Sequence, residues 1–565
     1  MGAPDQRGVK PLPIALAAGA VVLPVAAGLL GTVLPAFGLL PALGGTAFSL
    51  DPWRTLLDQP GLAASARLTL GVGFGATALS LLAVTAFCAA FHATRAFRWA
   101  QAAMAPVLAT PHVAIALGFL ALAAPSGLLA RMLSPWATGW RQPPDIATTG
   151  DPWGLSLTVG LALKEAPYLL LMLGAALNGL PTARLMATAR SLGQPAPVAW
   201  LKAVFPLAYR QLRLPVLAVL AYALSAVDVA LLLGPGSPPP LAVLVVRWVF
   251  DPDLSRVFPA AAAACLLLAL TACAALMWLA GERAMAALGR RWAGSGRPAG
   301  AIGVRLAGLV LPVVLALASL SLLAAALWSV AGPWRFPDAL PARLDGAAWS
   351  AQAGGLLAPF GITLGAALAS TVLALMLSVA ALEAVARHGA AARPSWLALT
   401  YLPLLVPQAA FLFGVQVALL GLGLDGGWAA LVWAHLLFVL PYVLLSLRDP
   451  WAALDPRLAR VAACLGATPN AILLRVKLPV LMRPLLAAAA VGIAVSAGQY
   501  LATLFAGGGR MASLTTEAVT LASGGDRRVL GVFAVVQAAL PLLFYAAALV
   551  LPGLVWRRRA GLRGA

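Results

Sequence analysis

Charged residues are scarce in this chain of 565 residues, at 10% of the total, whereas hydrophobic residues make up 62%. The mean hydropathy is +0.93. A chain with so little polar surface cannot cover itself in water, which excludes a soluble globular protein and leaves no room for a large soluble domain. The composition therefore predicts a polytopic membrane protein.

Cysteine and histidine are also rare, with four residues of each type. Their positions match neither disulfide pairing nor the ligand spacing of a zinc site. We therefore predict no metal site, interpret the cysteines as packing residues and find no catalytic constellation for a membrane-embedded enzyme. The residues are Cys88, Cys265, Cys273, Cys464, His92, His112, His388 and His435.

The phosphate-binding pattern G-x-x-x-x-G-K-[ST] is absent from the sequence. Without this loop the chain has no usual means of holding the phosphates of ATP. We predict that it is not an enzyme and carries no cofactor of its own. If an active process depends on this protein, the energy comes from another polypeptide.

What the sequence does contain is a series of twelve apolar runs, each long enough to cross a bilayer as a helix of roughly 20 residues. They predict an all-α fold. The first run is about twice as long as the apolar core of a secretory signal and lacks a clear cleavage site, which predicts a retained helix. The runs are Pro13–Leu40, Leu68–Phe91, Ala100–Ala124, Leu155–Leu177, Leu214–Leu233, Pro259–Leu279, Val304–Leu327, Ile362–Ala386, Leu397–Leu422, Trp428–Leu447, Leu481–Phe505 and Leu530–Leu551.

The net charge of +20 is unevenly distributed between the two sets of loops. Most of the 38 Arg and Lys residues fall in loops on the same side as the termini, whereas the opposite loops hold basic and acidic residues in equal numbers. By the positive-inside rule, both termini are cytoplasmic. The basic charge thus indicates membrane orientation and not nucleic-acid binding.

The chain is predicted to contain two copies of one unit. The stretch Leu68–Leu82 aligns with Ile362–Met376, "PHVAIALG" aligns with "PQAAFLFG", and "APYLLLML" aligns with "LPYVLLSL". Each copy has six runs, an even number, so the copies share one orientation and are related by a pseudo-two-fold axis along the membrane normal. We predict a first repeat at 1–285, a cytoplasmic linker at 286–300 and a second repeat at 301–565.

Two polar segments occupy the same place in the two repeats, on the predicted cytoplasmic side. The first repeated segment is "SLGQPAPVAWLKAVFP", Ser191–Pro206, and the second is "CLGATPNAILLRVKLP", Cys464–Pro479. Each is predicted to be a short amphipathic helix with a glycine turn before it and a proline that ends it. The apolar stripes are Val198, Leu201 and Phe205 in the first segment and Ala471, Leu474 and Leu478 in the second. Such a helix can lie on the lipid surface or dock into a partner's groove, and two copies at symmetric positions favour a symmetric pair of partners.

Both segments resemble the "EAA" loop of the permease subunits of ABC importers, and the fused arrangement is similar to the permeases of the thiamine and ferric-iron import group. The resemblance implies a bacterial inner-membrane permease with two ATPase subunits, which bind ATP and Mg, and an extracytoplasmic solute-binding protein. The family's glutamate is replaced by Ala187 and Arg460. The residues implied in ATPase coupling are Gly193, Trp200, Lys202, Pro206, Gly466, Leu473, Arg475 and Pro479.

Ionisable and polar residues inside the apolar runs are the candidates for a substrate pathway, because such groups are costly in lipid and usually face a bundle interior. Lys164 and Glu165 are neighbours but lie about 100° apart on a helix, so they need not pair with each other. His435 fits a hydrogen-bonded core histidine better than a ligand. The pathway candidates are Lys164, Glu165, Asp228, His435 and Gln499.

A proton-coupled secondary transporter is the alternative, since it also has twelve spans in two repeats and would use Glu165, Asp228 or His435 as a proton relay. The two repeated segments have no role in that alternative. The substrate stays open at this stage: the acids suit a cation such as thiamine or ferric iron, and Lys164 suits an anion.

Overall fold

The computed structural model describes residues 12–296, 298, 300–388 and 399–555. This part of the chain is helical, and apart from two isolated bridges, Leu40 with Gly45 and Ala331 with Leu344, it contains no β-structure. Helices suit such an apolar sequence because lipid offers no partner for backbone polar groups, which must be satisfied within the helix itself. The prediction of an all-α membrane fold is confirmed.

We call residues 12–296 the N-half and residues 300–555 the C-half. The helices of the N-half are α1 (Leu12–Ala36), α2 (Asp51–Leu57), α3 (Leu62–Phe91), α4 (Arg95–Ala109), α5 (His112–Ala123), α6 (Leu128–Leu133), α7 (Leu155–Asn178), α8 (Thr182–Ser191), α9 (Ala196–Ala199), α10 (Phe205–Ser225), α11 (Asp228–Leu233), α12 (Leu241–Val249) and α13 (Val257–Gly294). Short 3₁₀ turns lie at Pro41–Leu43 and Leu254–Arg256.

The helices of the C-half are α14 (Ala301–Ala307), α15 (Val310–Ser329), α16 (Ala347–His388), α17 (Leu402–Leu405), α18 (Gln408–Gly421), α19 (Trp428–Ala452), α20 (Pro456–Cys464), α21 (Pro469–Ile472), α22 (Leu478–Val480), α23 (Met482–Ala497), α24 (Leu501–Gly507), α25 (Leu514–Ala522) and α26 (Arg527–Val555). The predicted linker 286–300 is helical as far as Gly294, because α13 runs on through its first nine residues.

Ten helices in the described residues are long and apolar enough to cross a membrane. The number is eleven if the bent pair Pro469–Val480 and Met482–Ala497, which meet at 77°, counts as one span. Twelve spans were predicted. The difference falls on the ninth, Leu397–Leu422, which begins outside the described residues and then contains two short helices, α17 and α18, the longer of which has 14 residues.

Four of the predicted spans are interrupted near their middle. The breaks separate α4 from α5, α10 from α11, α17 from α18, and α23 from α24. Pro111 and Pro407 explain two of them, because proline has no N–H to donate and disfavours a helical conformation in the residue before it. A hydropathy window averages over such a break, so the sequence predicted continuous helices.

The first spanning helix of each half packs against the other half. Helix α1 crosses α18 at glycines, where a Cβ atom on Gly414 would overlap the carbonyl oxygen of Gly28. Helix α15 crosses α5 where a Cβ atom on Gly118 would overlap the carbonyl oxygen of Ser321. Small residues at membrane helix crossings permit this close backbone approach. The two halves are thereby joined into one helical body.

A pair of threonines that the sequence alignment matches makes the same contact in both halves. The Thr69 hydroxyl donates to the Ser65 carbonyl at 2.8 Å and accepts the Leu241 N–H, at the start of α12, at 2.9 Å. The Thr363 hydroxyl donates to the Pro359 carbonyl at 2.7 Å and accepts the Leu514 N–H, at the start of α25, at 2.8 Å. The first N–H groups of a helix have no partner within the helix, and each threonine hydroxyl accepts one of them.

Candidate functional site

A cavity of about 420 Å³ lies between helices of both halves, and all four helix breaks border it. The N-half contributes a histidine, a lysine, two acids and two tyrosines: His112, Lys164, Glu165, Asp228, Tyr168 and Tyr222. The C-half contributes neutral side chains, among them Gln408, Tyr442, Gln499, Tyr500 and Tyr545. Charge in the cavity therefore comes from one half of the protein.

Lys164 is buried on α7 and donates to three backbone carbonyls at the end of α4. The ammonium lies 2.9 Å from the Val107 oxygen and 2.6 Å from the Leu108 oxygen, and it also donates to Thr110. An ammonium has three N–H donors, so these carbonyls occupy all of them. The sequence left open an anion-binding role for Lys164, but its hydrogen-bonding capacity is already used within the protein.

Glu165, the next residue of α7, contacts the other side of the same break. Its carboxylate lies 3.2 Å from Nε2 of His112, the first residue of α5. The His112 ring packs against Tyr222, with 4.7 Å between ring centroids. Sequence reasoning treated His112 only as a scattered histidine. The available signal was its position after Pro111, in a stretch that aligns it with Gln408.

Asp228 and Gln499 lie at the breaks of the two halves. Asp228 is the first residue of α11 and is buried. Gln499 lies in the turn between α23 and α24, beside Tyr500, and its side-chain amide donates to the Val495 carbonyl at 3.3 Å. Both side chains line the cavity.

His435 lies outside the set of residues that line the cavity. It is buried on α19, with Nδ1 at 2.7 Å from the Ser496 hydroxyl and Nε2 at 3.0 Å from the Thr503 hydroxyl. Both ring nitrogens are therefore engaged in joining α19 to α23 and α24. This placement matches the sequence interpretation of a hydrogen-bonded core histidine and gives His435 no contact with the cavity.

Asp151 fixes the start of α7, the helix that carries Lys164 and Glu165. Its carboxylate accepts the N–H of Leu155 at 2.7 Å and the N–H of Ser156 at 2.8 Å. Burial favours a higher pKa for Asp151, but hydrogen bonds from the side chain and backbone of Ser156 hold its pKa below the ordinary value. An ionised carboxylate at a helix N-terminus interacts favourably with the helix dipole.

The two repeated segments have the same backbone. Gly193 has φ of +78° and Gly466 has φ of +79°, a left-handed conformation that favours glycine. After each glycine come a short helix, α9 or α21, and a π-helical turn, Trp200–Val204 or Leu473–Lys477. The predicted glycine turn is therefore present in both segments.

The predicted proline end is present in one of the two segments. Pro206 does not end a helix, because the first segment continues through α10 to Ser225, whereas in the second segment the helix Pro469–Val480 ends one residue after Pro479, at a bend of 77°. In the second segment Leu474, a residue of the predicted apolar stripe, is 62% exposed and lies within the π turn, which changes the helical period.

The two segments are held by different contacts. In the first, Lys202 lies 3.1 Å from the Gln194 side-chain oxygen and 4.8 Å from the centre of the Trp292 ring at the end of α13. In the second, Lys477 lies 2.7 Å from the buried carboxylate of Glu383 on α16.

The remaining residues implied in coupling are distributed between the interior and the surface. Trp200 is fully buried beside Phe205, whereas Arg475 is exposed. Leu473 is partly buried in the π turn. Ala187 and Arg460, at the places of the family's glutamate, are exposed on α8 and α20, the helices that precede the two glycines.

Apolar helices around a cavity that carries ionisable side chains are typical of a membrane transport protein, because such groups in a membrane usually mark the path of a solute or ion. No protein family model matches the chain. It is 34% identical over 540 residues to the inner membrane ABC transporter permease protein YnjC of Escherichia coli (strain K12), across 93% of this chain and 96% of that protein. The chain belongs to the ABC transporter permeases, and it is a transport subunit rather than an enzyme.

Proposed function

We propose that the chain is the fused permease subunit of an ABC importer in a bacterial inner membrane. Both halves form the solute pathway, and each repeated segment docks one ATPase subunit on the cytoplasmic side, where both chain termini also lie. ATP and Mg bind to those partners and not to this chain. A solute-binding protein delivers the substrate from the outer side.

The shared backbone of the two repeated segments carries this proposal. Each has a left-handed glycine followed after six residues by a π turn, at Gly193 and Gly466. The matched contacts of Thr69 and Thr363 support the same duplication in the membrane region. Two segments with the same backbone conformation on one chain suit two copies of one partner. These copies would be related by the pseudo-two-fold axis that the sequence predicts.

The cavity supports a pathway for a cation over one for an anion. The Lys164 ammonium is bound to three carbonyls, whereas Glu165 and Asp228 place two carboxylates at the cavity wall. Tyrosine rings line the same space and provide faces that attract cations. This agrees with the resemblance to permeases of the thiamine and ferric-iron group, and we propose Glu165, Asp228 and Gln499 as pathway residues, with Lys164 in the cavity wall.

A proton-coupled secondary transporter is the second candidate, and the contact between Glu165 and His112 is the observation that favours it, because carboxylate and imidazole groups form proton relays in carriers. In that mechanism the two repeated segments have no partner. ATPase docking therefore distinguishes the two candidates.

Site-directed crosslinking tests the docking directly. Leu474 is exposed in the second repeated segment, so a cysteine at this position is expected to crosslink to the ATPase subunit in the assembled complex. Trp136 is 77% exposed in a loop on the opposite predicted side and serves as the matched control. Crosslinking from Leu474→Cys but not from Trp136→Cys supports the proposal, and an ATPase crosslinked through Trp136→Cys alone refutes the orientation.

A further inference from the structure

The break between α4 and α5 leaves backbone groups that need partners inside the membrane region. In a continuous helix the Val107 carbonyl would accept the N–H of residue 111, but Pro111 has none. Thr110 adopts an extended conformation with ψ of 135°, so the chain leaves the helical path there. The end of α4 therefore presents unpaired carbonyls, which are costly away from water.

Two consecutive residues of α7 meet the two sides of this break. Lys164 donates to carbonyls of Val107, Leu108 and Thr110 on the α4 side. Glu165 contacts His112 at the start of α5. Neighbouring side chains on a helix diverge by about 100°, which lets one dipeptide reach both helix ends.

The charge of Lys164 matches the helix end that it contacts. A helix carries partial negative charge at its C-terminus and partial positive charge at its N-terminus. Lys164 contacts backbone carbonyls at the C-terminus of α4, a helix of 15 residues, and Glu165 contacts the side chain of His112, the first residue of α5. Lys164 thus complements the dipole of α4, Glu165 reaches α5 through the His112 side chain, and the two charges lie next to each other in sequence.

We infer that Lys164 and Glu165 are positioning residues that clasp the interrupted helix α4–α5. The clasp gives hydrogen-bond partners to carbonyls that the break at Pro111 leaves unpaired, and it fixes where His112 faces the cavity. It belongs to the N-half alone: in the C-half the positions aligned with Lys164 and Glu165 are Phe438 and Val439, which have no polar side-chain atom. The inference goes beyond the proposed function, since it does not depend on the direction of transport.

Thiol labelling of the break tests the clasp. The reporter is Thr110→Cys in the full-length chain, in membranes with its ATPase partners, after the four native cysteines have been replaced by alanine. Thr110 is fully buried, so a charged, membrane-impermeant methanethiosulfonate reagent is expected to label the reporter slowly. Lys164→Met keeps the length of the side chain but donates no hydrogen bond, and we expect it to raise the labelling rate about tenfold by opening the break.

Three further variants separate the clasp from packing and from net charge. Lys164→Arg keeps a cationic donor and is expected to stay within about threefold of the parent rate. Exchanging the two residues, Lys164→Glu with Glu165→Lys, conserves charge and composition but places a carboxylate against carbonyls, so it should label as fast as Lys164→Met. Phe438→Met, at the aligned position of the C-half, should leave the reporter unchanged.

Labelling of Lys164→Met or of the exchanged pair at the parent rate would overturn the inference. Side-chain packing or net charge would then be enough to keep the break closed. If Lys164→Met does not reach the membrane, Glu165→Gln decides the question. This variant keeps its shape and loses only the charge on the α5 side. Faster labelling supports the clasp, and the parent rate refutes it.

Discussion

Replacing Gly466 with proline is expected to leave the protein inserted in the membrane and to abolish most ATP-driven transport. Gly466 has φ of +79°, whereas proline is confined to φ near −65°. Proline also removes the N–H that Gly466 donates to the Ala463 carbonyl at 2.9 Å. The second repeated segment therefore cannot keep its turn, and a loss of about 1.4 kcal/mol in docking already weakens the ATPase contact tenfold.

Gly193→Pro is expected to act in the same way on the first segment, because Gly193 has φ of +78° and donates to the Arg190 carbonyl at 2.9 Å. Asparagine tolerates the left-handed conformation, so Gly466→Asn and Gly193→Asn are the matched controls and should retain coupling. Coupling is measured as ATP hydrolysis and uptake by the complex in vesicles at equal membrane content of each variant. Unchanged uptake in both proline variants would refute the docking role of these segments.

Replacing Gly414 with leucine is expected to prevent accumulation of folded protein. A Cβ atom at this position overlaps the backbone oxygen of Gly28, and a backbone atom cannot move aside as a side chain can. The cost is at or beyond the upper end of the roughly 1–3 kcal/mol that overpacking usually imposes. Helices α1 and α18 must separate, and the contact that joins the first helix to the C-half is then lost.

Gly421 provides the control for Gly414, because it lies on the same helix and no atom is within 4 Å of a Cβ built there. Gly421→Leu should accumulate and unfold thermally like the parent protein. Size-exclusion profiles and thermal unfolding in detergent measure both variants. If Gly414→Leu yields monodisperse protein with the parent unfolding temperature, the close crossing of α1 and α18 is wrong.

The fold class followed from the sequence because apolar length alone selects helices that cross a membrane. The turns at Gly193 and Gly466 were also visible, since glycine is the residue that adopts a left-handed conformation without strain. The helix breaks were not predicted. Pro111 and Pro407 mark two of them, but the apolar runs continue on both sides, so hydropathy reports a single span.

The cavity could be predicted only in part. Lys164, Glu165 and Asp228 were recognised because an ionisable side chain in an apolar run is costly in lipid and usually faces the protein interior. The rotation of about 100° between neighbouring helical residues indicated that Lys164 and Glu165 contact different helices. Their partners depend on how α7 packs against α4 and α5, which local sequence does not specify. The role of His112 was missed for the same reason, since its contact with Glu165 joins residues far apart in the chain.

The number of ATPase subunits in the complex tests the central claim most directly. The chain is purified with its co-expressed ATPase, the mass of the intact complex is measured, and the same preparation is assayed in vesicles with ATP or with a pH gradient. Two repeated segments predict two ATPase copies per chain and uptake that requires ATP and ignores the gradient. A transport-active complex with one ATPase copy or none, or uptake driven by the gradient without ATPase, would contradict the account.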